Sequence, residues 1–115
     1  MQEHITLLNV RVDKISSEEL LSEIEESVHQ HKKKVFAYLT AHALNVAGKD
    51  NEFKEFLNNA DVSFADGEGV RLGAKILGET LPPRIPLTRW IWELAEFCEK
   101  KGFSIFLLGA SKKKY

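Results

Sequence analysis

The run Asp66-Gly67-Glu68-Gly69 sets a carboxylate beside two glycines. At the end of a strand, facing a cleft, such a carboxylate can take a proton from a substrate hydroxyl if it comes within about 2.6 to 3.2 Å of it. Gly67 and Gly69 can let the backbone approach a phosphate, with the amides of a following helix as donors. The same four residues also make an ordinary Asp-Gly turn, and Asp-Gly-x-Gly is not the fingerprint of a dinucleotide site. Thr40 can hydrogen-bond a sugar or phosphate, or simply cap a helix. His42 can contact a ligand, exchange a proton or sit as a structural histidine. Arg84, beside Pro82-Pro83, carries the donor fork that clamps a diphosphate, although an exposed loop arginine is commonly just solvated.

The elements that position these groups follow from the patterning. Residues 5–12 are short, β-branched and partly alternating, a strand or hairpin arm. Ser16-Ser17-Glu18-Glu19 spells a capping box, so a helix starts near Ser17 and runs to about Lys33, with Leu20, Leu21, Ile24 and Val28 on one face. The continuous apolar run 35–39 predicts a strand buried on both faces. Two short helices follow, broken near Gly48. Residues 62–65 form a second buried strand, 66–69 its turn, and 70–77 a helix closed by Gly78. Residues 79–86 form a loop. Thr88 caps a helix reaching about Lys101, apolar nearly all round: Ile91, Leu94, Ala95 and Cys98 make one stripe, and Trp90, Trp92 and Phe97 lie on other faces. Both tryptophans read as core or interface residues before sugar-stacking platforms. Residues 103–108 predict a third buried strand running into Gly109.

Strands alternating with helices predict an α/β fold, a Rossmann-like parallel sheet with flanking helices, in a single domain over residues 1–115. Open parallel sheets bind ligands beyond the carboxyl ends of their strands, which brings Thr40-Ala41-His42, Asp66 to Gly69, and Gly109-Ala110-Ser111 to one rim. The third strand ends at residue 108 of 115, leaving no helix to cover that side of the sheet. The chain is therefore expected to be incomplete at its C-terminal side, or to need a partner.

Composition narrows the functions. With 16 Lys+Arg against 17 Asp+Glu, the chain has no long-range attraction to a polyanion. The basic runs 32–34 and 112–114 are short and read as solvated, so nucleic acid is not an expected partner. No apolar run approaches the about 20 residues of a membrane span, and the first residues lack a signal-peptide pattern. Cys98, the only cysteine, cannot form an internal disulfide, and the four histidines lack zinc-site spacing, so a reducing cytoplasm is expected.

Thr40-Ala41-His42-Ala43-Leu44-Asn45, Asn59-Ala60-Asp61-Val62 leading into Asp66-Gly67-Glu68-Gly69-Val70, Leu77-Gly78 with Pro83-Arg84, and Phe106-Leu107-Leu108-Gly109 form an ordered set. It resembles the WecG/TagA/CpsF family of bacterial glycosyltransferases from about Ile5 to Ser111. The resemblance implies an inverting enzyme that moves N-acetylmannosamine from UDP to a lipid-diphosphate-linked N-acetylglucosamine, in teichoic acid or other cell-surface polysaccharide synthesis. It implies no metal cofactor, Asp66 as the base, Thr40 and Arg84 as substrate contacts, and a role for Asn45. Many members carry asparagine at the position of His42, and Gly-x-Asp where this chain reads Leu87-Thr88-Arg89. Family members are longer, and their C-terminal portion supplies donor contacts and a surface that docks peripherally on the inner face of the membrane.

Substrate-binding positions are thus expected at Thr40, His42, Asn45, Gly67, Gly69, Arg84 and Gly109. An incomplete sheet also predicts self-association into a homo-oligomer. The alternative readings are a non-catalytic α/β interaction module, using the tryptophan helix for assembly, or an inactive truncated fragment. A dehydrogenase is disfavoured because the Gly-x-Gly-x-x-Gly signal is missing.

Overall fold

A β-hairpin opens the chain. In the computed structural model, which describes residues 3–109, strands β1 (His4–Leu7) and β2 (Val10–Asp13) pair antiparallel with Leu7 opposite Val10. Leu8 and Asn9 both take positive φ, 51° and 66°, the two-residue turn whose twist matches that of the flanking strands. Alternation turns Ile5, Leu7, Val10 and Val12 into the core.

Helix α1 (Ser17–His29) begins with the expected capping box: Glu19 N donates to Ser16 Oγ (3.2 Å) and Ser16 N donates to Glu19 Oε1 (3.0 Å). It stops before Lys33. Gln30 caps it and His31 turns to φ 55°, so residues 32–34 lie outside the last turn.

Strand β3 (Phe36–Leu39), helices α2 (Ala41–Lys49) and α3 (Asn51–Asn59), and strand β4 (Val62–Ala65) form a β-helix-β unit with β3 and β4 parallel. The break between the helices falls at Asp50, whose Oδ1 accepts Phe53 N at 3.1 Å. Helices α4 (Glu68–Ile76) and α5 (Leu87–Lys101) complete the elements. Glu68 and Gly69, expected in a turn, form the first turn of α4.

Side-chain parity divides the sheet faces. Ala37, Leu39 and Ala65 join a core with Leu7, Val10, Val12, Leu44, Leu57 and Val70. Phe36, Val62 and Phe64 join the other, with Ile15, Leu20, Ile85 and Trp90. The α/β class is therefore as expected, with a two-stranded parallel sheet and a separate antiparallel hairpin.

Main-chain parity divides the sheet edges. Val35 O accepts Val62 N (3.2 Å) and Leu39 O accepts Asp66 N (2.9 Å), so odd residues of β3 face even residues of β4. Ser63 and Ala65 point the other way. There Ser63 N donates to Asp13 Oδ2 (2.7 Å) and Ala65 O accepts Ile85 N (3.0 Å), closing that edge with a side chain of β2 and a loop amide in place of a ladder. Phe36 and Tyr38 turn their main-chain groups to the opposite edge, where no described residue pairs with them.

Three expectations are corrected. Residues 103–108 form no strand: Phe106, Leu107 and Leu108 are 88%, 76% and 91% exposed. Gly102, at φ 75°, ends α5, and Phe103 packs edge-on against Phe97 and His29. Beyond that anchor the segment pairs with none of the described strands. Thr88 caps nothing, because α5 begins at Leu87 after Pro86. The buried face of α5 carries Trp90 and Cys98 with Leu87 and Leu94, while Ala95 is exposed. The ring of Trp90 fills the space over Phe64 at 6.2 Å, and that rotation sets the stripe.

Candidate active site

Both parallel strands end at the same level, Leu39 opposite Ala65, and each hands the chain to a helix within a few residues. Thr40 is the N-cap of α2, its Oγ1 accepting Ala43 N at 3.1 Å. Gly67 is the N-cap of α4, with no side chain to offer. A Cβ on Gly67 would lie 3.9 Å from Thr40 Cα, so the two strand ends are side by side. A Cβ on Gly69 would lie 3.2 Å from Ala41 Cβ, closer than side chains ordinarily pack. Gly69 therefore lets the first turns of α2 and α4 touch.

The loop before α5 folds back onto this rim. Arg84 Nη1 donates to Asp66 O at 3.3 Å, and Leu87 N donates to Asp66 Oδ1 at 3.1 Å. The half-buried Asp66 carboxylate thus satisfies the first free N–H of α5. Its Oδ2 has no partner among the described residues. Three helices begin around Asp66, and the positive ends of their dipoles favour an anion there.

Arg84 is exposed, with Nε 3.7 Å from Glu68 Oε1. Glu68 also receives Arg71 Nη1 on both oxygens, at 3.1 and 3.2 Å. Two guanidinium groups therefore meet one carboxylate at the start of α4. Patterning shows only the i,i+3 half of that arrangement, Glu68 with Arg71; the contact from Arg84 depends on how the loop returns, and the sequence reading missed it.

Gly69 lines two cavities. One, of about 520 Å³, lies between α4 and the loop, with Arg71, Leu72, Lys75 and Thr80. The other, of about 300 Å³, is apolar and is formed by Leu7, Leu8, Leu44, Asn45, Gly73 and Ile76. Both are within the range of small-molecule sites, roughly 300 to 1,000 Å³.

The structure thus gathers Thr40, Asp66, Gly67, Gly69 and Arg84 at one rim. His42 lies exposed in the first turn of α2, and Asn45 one turn further on, lining the apolar cavity. Gly109 is not gathered: a Cβ there would meet nothing within 4 Å, because the strand expected to deliver it does not form. Among the described residues, no three His, Cys, Asp or Glu side chains cluster as a metal centre would need.

What remains is a carboxylate with one oxygen unpaired among the described residues, beside an arginine and three helix starts. Such a site can accept a proton and hold an anion at the same time. No curated protein matches the chain. The sequence profile of the WecG/TagA/CpsF glycosyl transferases matches residues 5–114, nearly the full length, and the chain belongs to that family.

Proposed function

We propose that the Thr40–Asp66–Arg84 rim transfers N-acetylmannosamine, or a related N-acetylhexosamine, from its UDP donor to the hydroxyl of a lipid-diphosphate-linked N-acetylglucosamine. The observation that carries this reading is the Asp66 carboxylate, held by the start of α5 beside Arg84, with an Oδ2 that has no partner among the described residues. In the proposed reaction Asp66 Oδ2 takes the proton of the acceptor hydroxyl as that oxygen bonds to the anomeric carbon. The bond from that carbon to the UDP oxygen breaks, and the electron pair leaves with the diphosphate. Arg84 and the amides opening α2 and α4 stabilise the developing charge. Attack opposite the leaving group inverts the anomeric centre. No divalent cation is called on, since guanidinium and helix amides serve the leaving group.

The test is an assay of the chain with UDP-N-acetylmannosamine and a lipid-diphosphate N-acetylglucosamine acceptor, with UDP-N-acetylglucosamine and NAD as comparison ligands. The expected result is a disaccharide of inverted configuration and a thermal-unfolding midpoint raised by UDP and not by NAD. A product of retained configuration, or stabilisation by NAD alone, would sink the proposal.

A further inference from the structure

The cavity of about 520 Å³ between α4 and the loop after it carries charge that the transfer chemistry leaves unused. Arg71 and Lys75 line it from one face of α4, four residues apart. Like charges one turn apart repel each other unless an anion lies between them. Two carboxylates also reach the cavity, and both have other partners: Glu79 meets Lys14 at 3.5 Å, and Glu68 is shared between Arg71 and Arg84. Lys75 has no ion-pair partner among the described residues. Glu68 engages only Nη1 of the five N–H donors' worth of guanidinium on Arg71, whose Nε is buried with no acceptor among the described residues. A buried donor without an acceptor is costly, and an arriving oxyanion relieves it.

We propose that Arg71 and Lys75 hold the diphosphate of the lipid-linked acceptor, at a site separate from the donor contacts of the rim. The inference rests on the transfer reading and says where its second substrate is held. The rim and the cavity share Gly69, which packs on Ala41 on one side and lines the cavity on the other. In such an acceptor a single sugar ring separates the attacking hydroxyl from the diphosphate. At about 1.5 Å per residue, Arg71 stands about 4.5 Å along α4 from Glu68, and Lys75 about 10 Å. A hydroxyl at Asp66 therefore leaves the diphosphate level with the two cations. The hydroxyl of Thr80 adds a donor, and the exposed Leu72 gives an apolar wall to the start of the lipid. Glu68 competes with this ligand for Arg71. A diphosphate, with more charge and more acceptor oxygens than one carboxylate, displaces it.

The test is titration of the 115-residue chain with inorganic pyrophosphate, followed by calorimetry and by the amide NMR signals of Arg71, Lys75 and Thr80. The expected result is saturable shifts at those three amides, with affinity weakened about five- to tenfold in Lys75→Gln and strengthened in Glu68→Gln, which removes the competitor. Lys75 is exposed, so its replacement leaves the fold intact. A water-soluble, short-chain lipid-diphosphate N-acetylglucosamine should displace pyrophosphate from the same amides and bind at least about tenfold more tightly. Equal affinity would make the cavity a site for free pyrophosphate and overturn the acceptor assignment. Shifts confined to the rim residues Thr40 and Gly67 overturn the proposal, as does a Lys75→Gln chain that binds like wild type. Failure of the transfer reading looks different: a chain that binds the acceptor analogue through Lys75 and yet forms no disaccharide would sink that reading and leave the diphosphate site standing.

Discussion

Asp66 Oδ1 accepts the N–H of Leu87 at 3.1 Å, so the carboxylate proposed as base also anchors the first turn of α5. The two duties fall on different oxygens. Replacing Asp66 with Asn keeps an acceptor for Leu87 and removes the base. Transfer should fall by about 10²- to 10⁴-fold in Asp66→Asn, with unfolding free energy changed by less than about 1 kcal/mol. Asp66→Ala should lose both activity and about 1 kcal/mol, because the Leu87 N–H loses its cap. Initial rates and urea titrations on the two variants separate the roles; wild-type rates in Asp66→Asn would remove Asp66 from the chemistry.

The same helix-forming change should have opposite signs at two glycines. At Gly48 in α2 a Cβ meets nothing within 4 Å, so Gly48→Ala should stabilise by about 0.5 to 1 kcal/mol. At Gly69 it meets Ala41 Cβ at 3.2 Å, and Gly69→Ala should destabilise by about 1 kcal/mol net of its propensity gain. Adding Ala41→Gly to Gly69→Ala should restore most of that loss, measured as a double-mutant cycle in urea.

Asp13 is 4% exposed and serves two groups with one oxygen, Ser63 N at 2.7 Å and Arg11 Nε at 3.5 Å. Its removal strands the buried Ser63 amide and takes the ion-pair partner from Arg11, which keeps its hydrogen bonds to Asn58 O and Ala60 O. Asp13→Ala should therefore destabilise by about 3 kcal/mol, well beyond the about 1 kcal/mol expected for Ser16→Ala at the α1 cap. Equal losses in chemical denaturation would mean that Asp13 is not the closure of the sheet edge.

Glu25 on α1 meets Lys101 on α5 at 2.9 Å, and His29 lies 3.7 Å from the same oxygen. The hydrogen bond from Lys101 holds its carboxyl below the usual glutamate value of 4.5. A carboxyl lowered in the folded state favours folding at pH above its unfolded value, and that contribution fades as pH falls through the folded value. The difference in thermal midpoint between wild type and Glu25→Gln should thus be present at pH 7 and fade as the pH falls below the usual glutamate range. The pair is solvent-exposed, so the difference should be small and shrink with salt. A difference that grew on acidification would reverse the assignment.

Features governed by neighbours in sequence were readable from it. The Ser16–Glu19 box, the break between α2 and α3, the buried β4 and the place of Asp66 at its end all depend on patterns a few residues long. Features decided by distant partners were not. Thr88 looks like a cap until Asp66, 21 residues before Leu87, takes the first amide of α5. The stripe on α5 is set by how Trp90 meets Phe64, a packing choice that helical spacing leaves open. Residues 103–108 have every local mark of a buried strand, and burial depends on a neighbour that propensity cannot supply. Thr40 and Asp66 were placed on one rim from the strand ends, whereas the return of Arg84 to that rim and the Glu68 bridge between two arginines required the folded loop.

The bond from Ser63 to Asp13 also bears on how the chain reaches its native state. It joins positions 50 residues apart, and Asn58 ties to Arg11 across 47. Helices and the hairpin turn can form within their own few residues, in microseconds or less, while these links wait for a long loop to close. Docking of the hairpin is accordingly expected to come late, with the Ser63 amide on the β4 edge unpaired until it happens. Faults in the first thirteen residues would therefore surface as slow folding and aggregation of a chain whose helices are already formed.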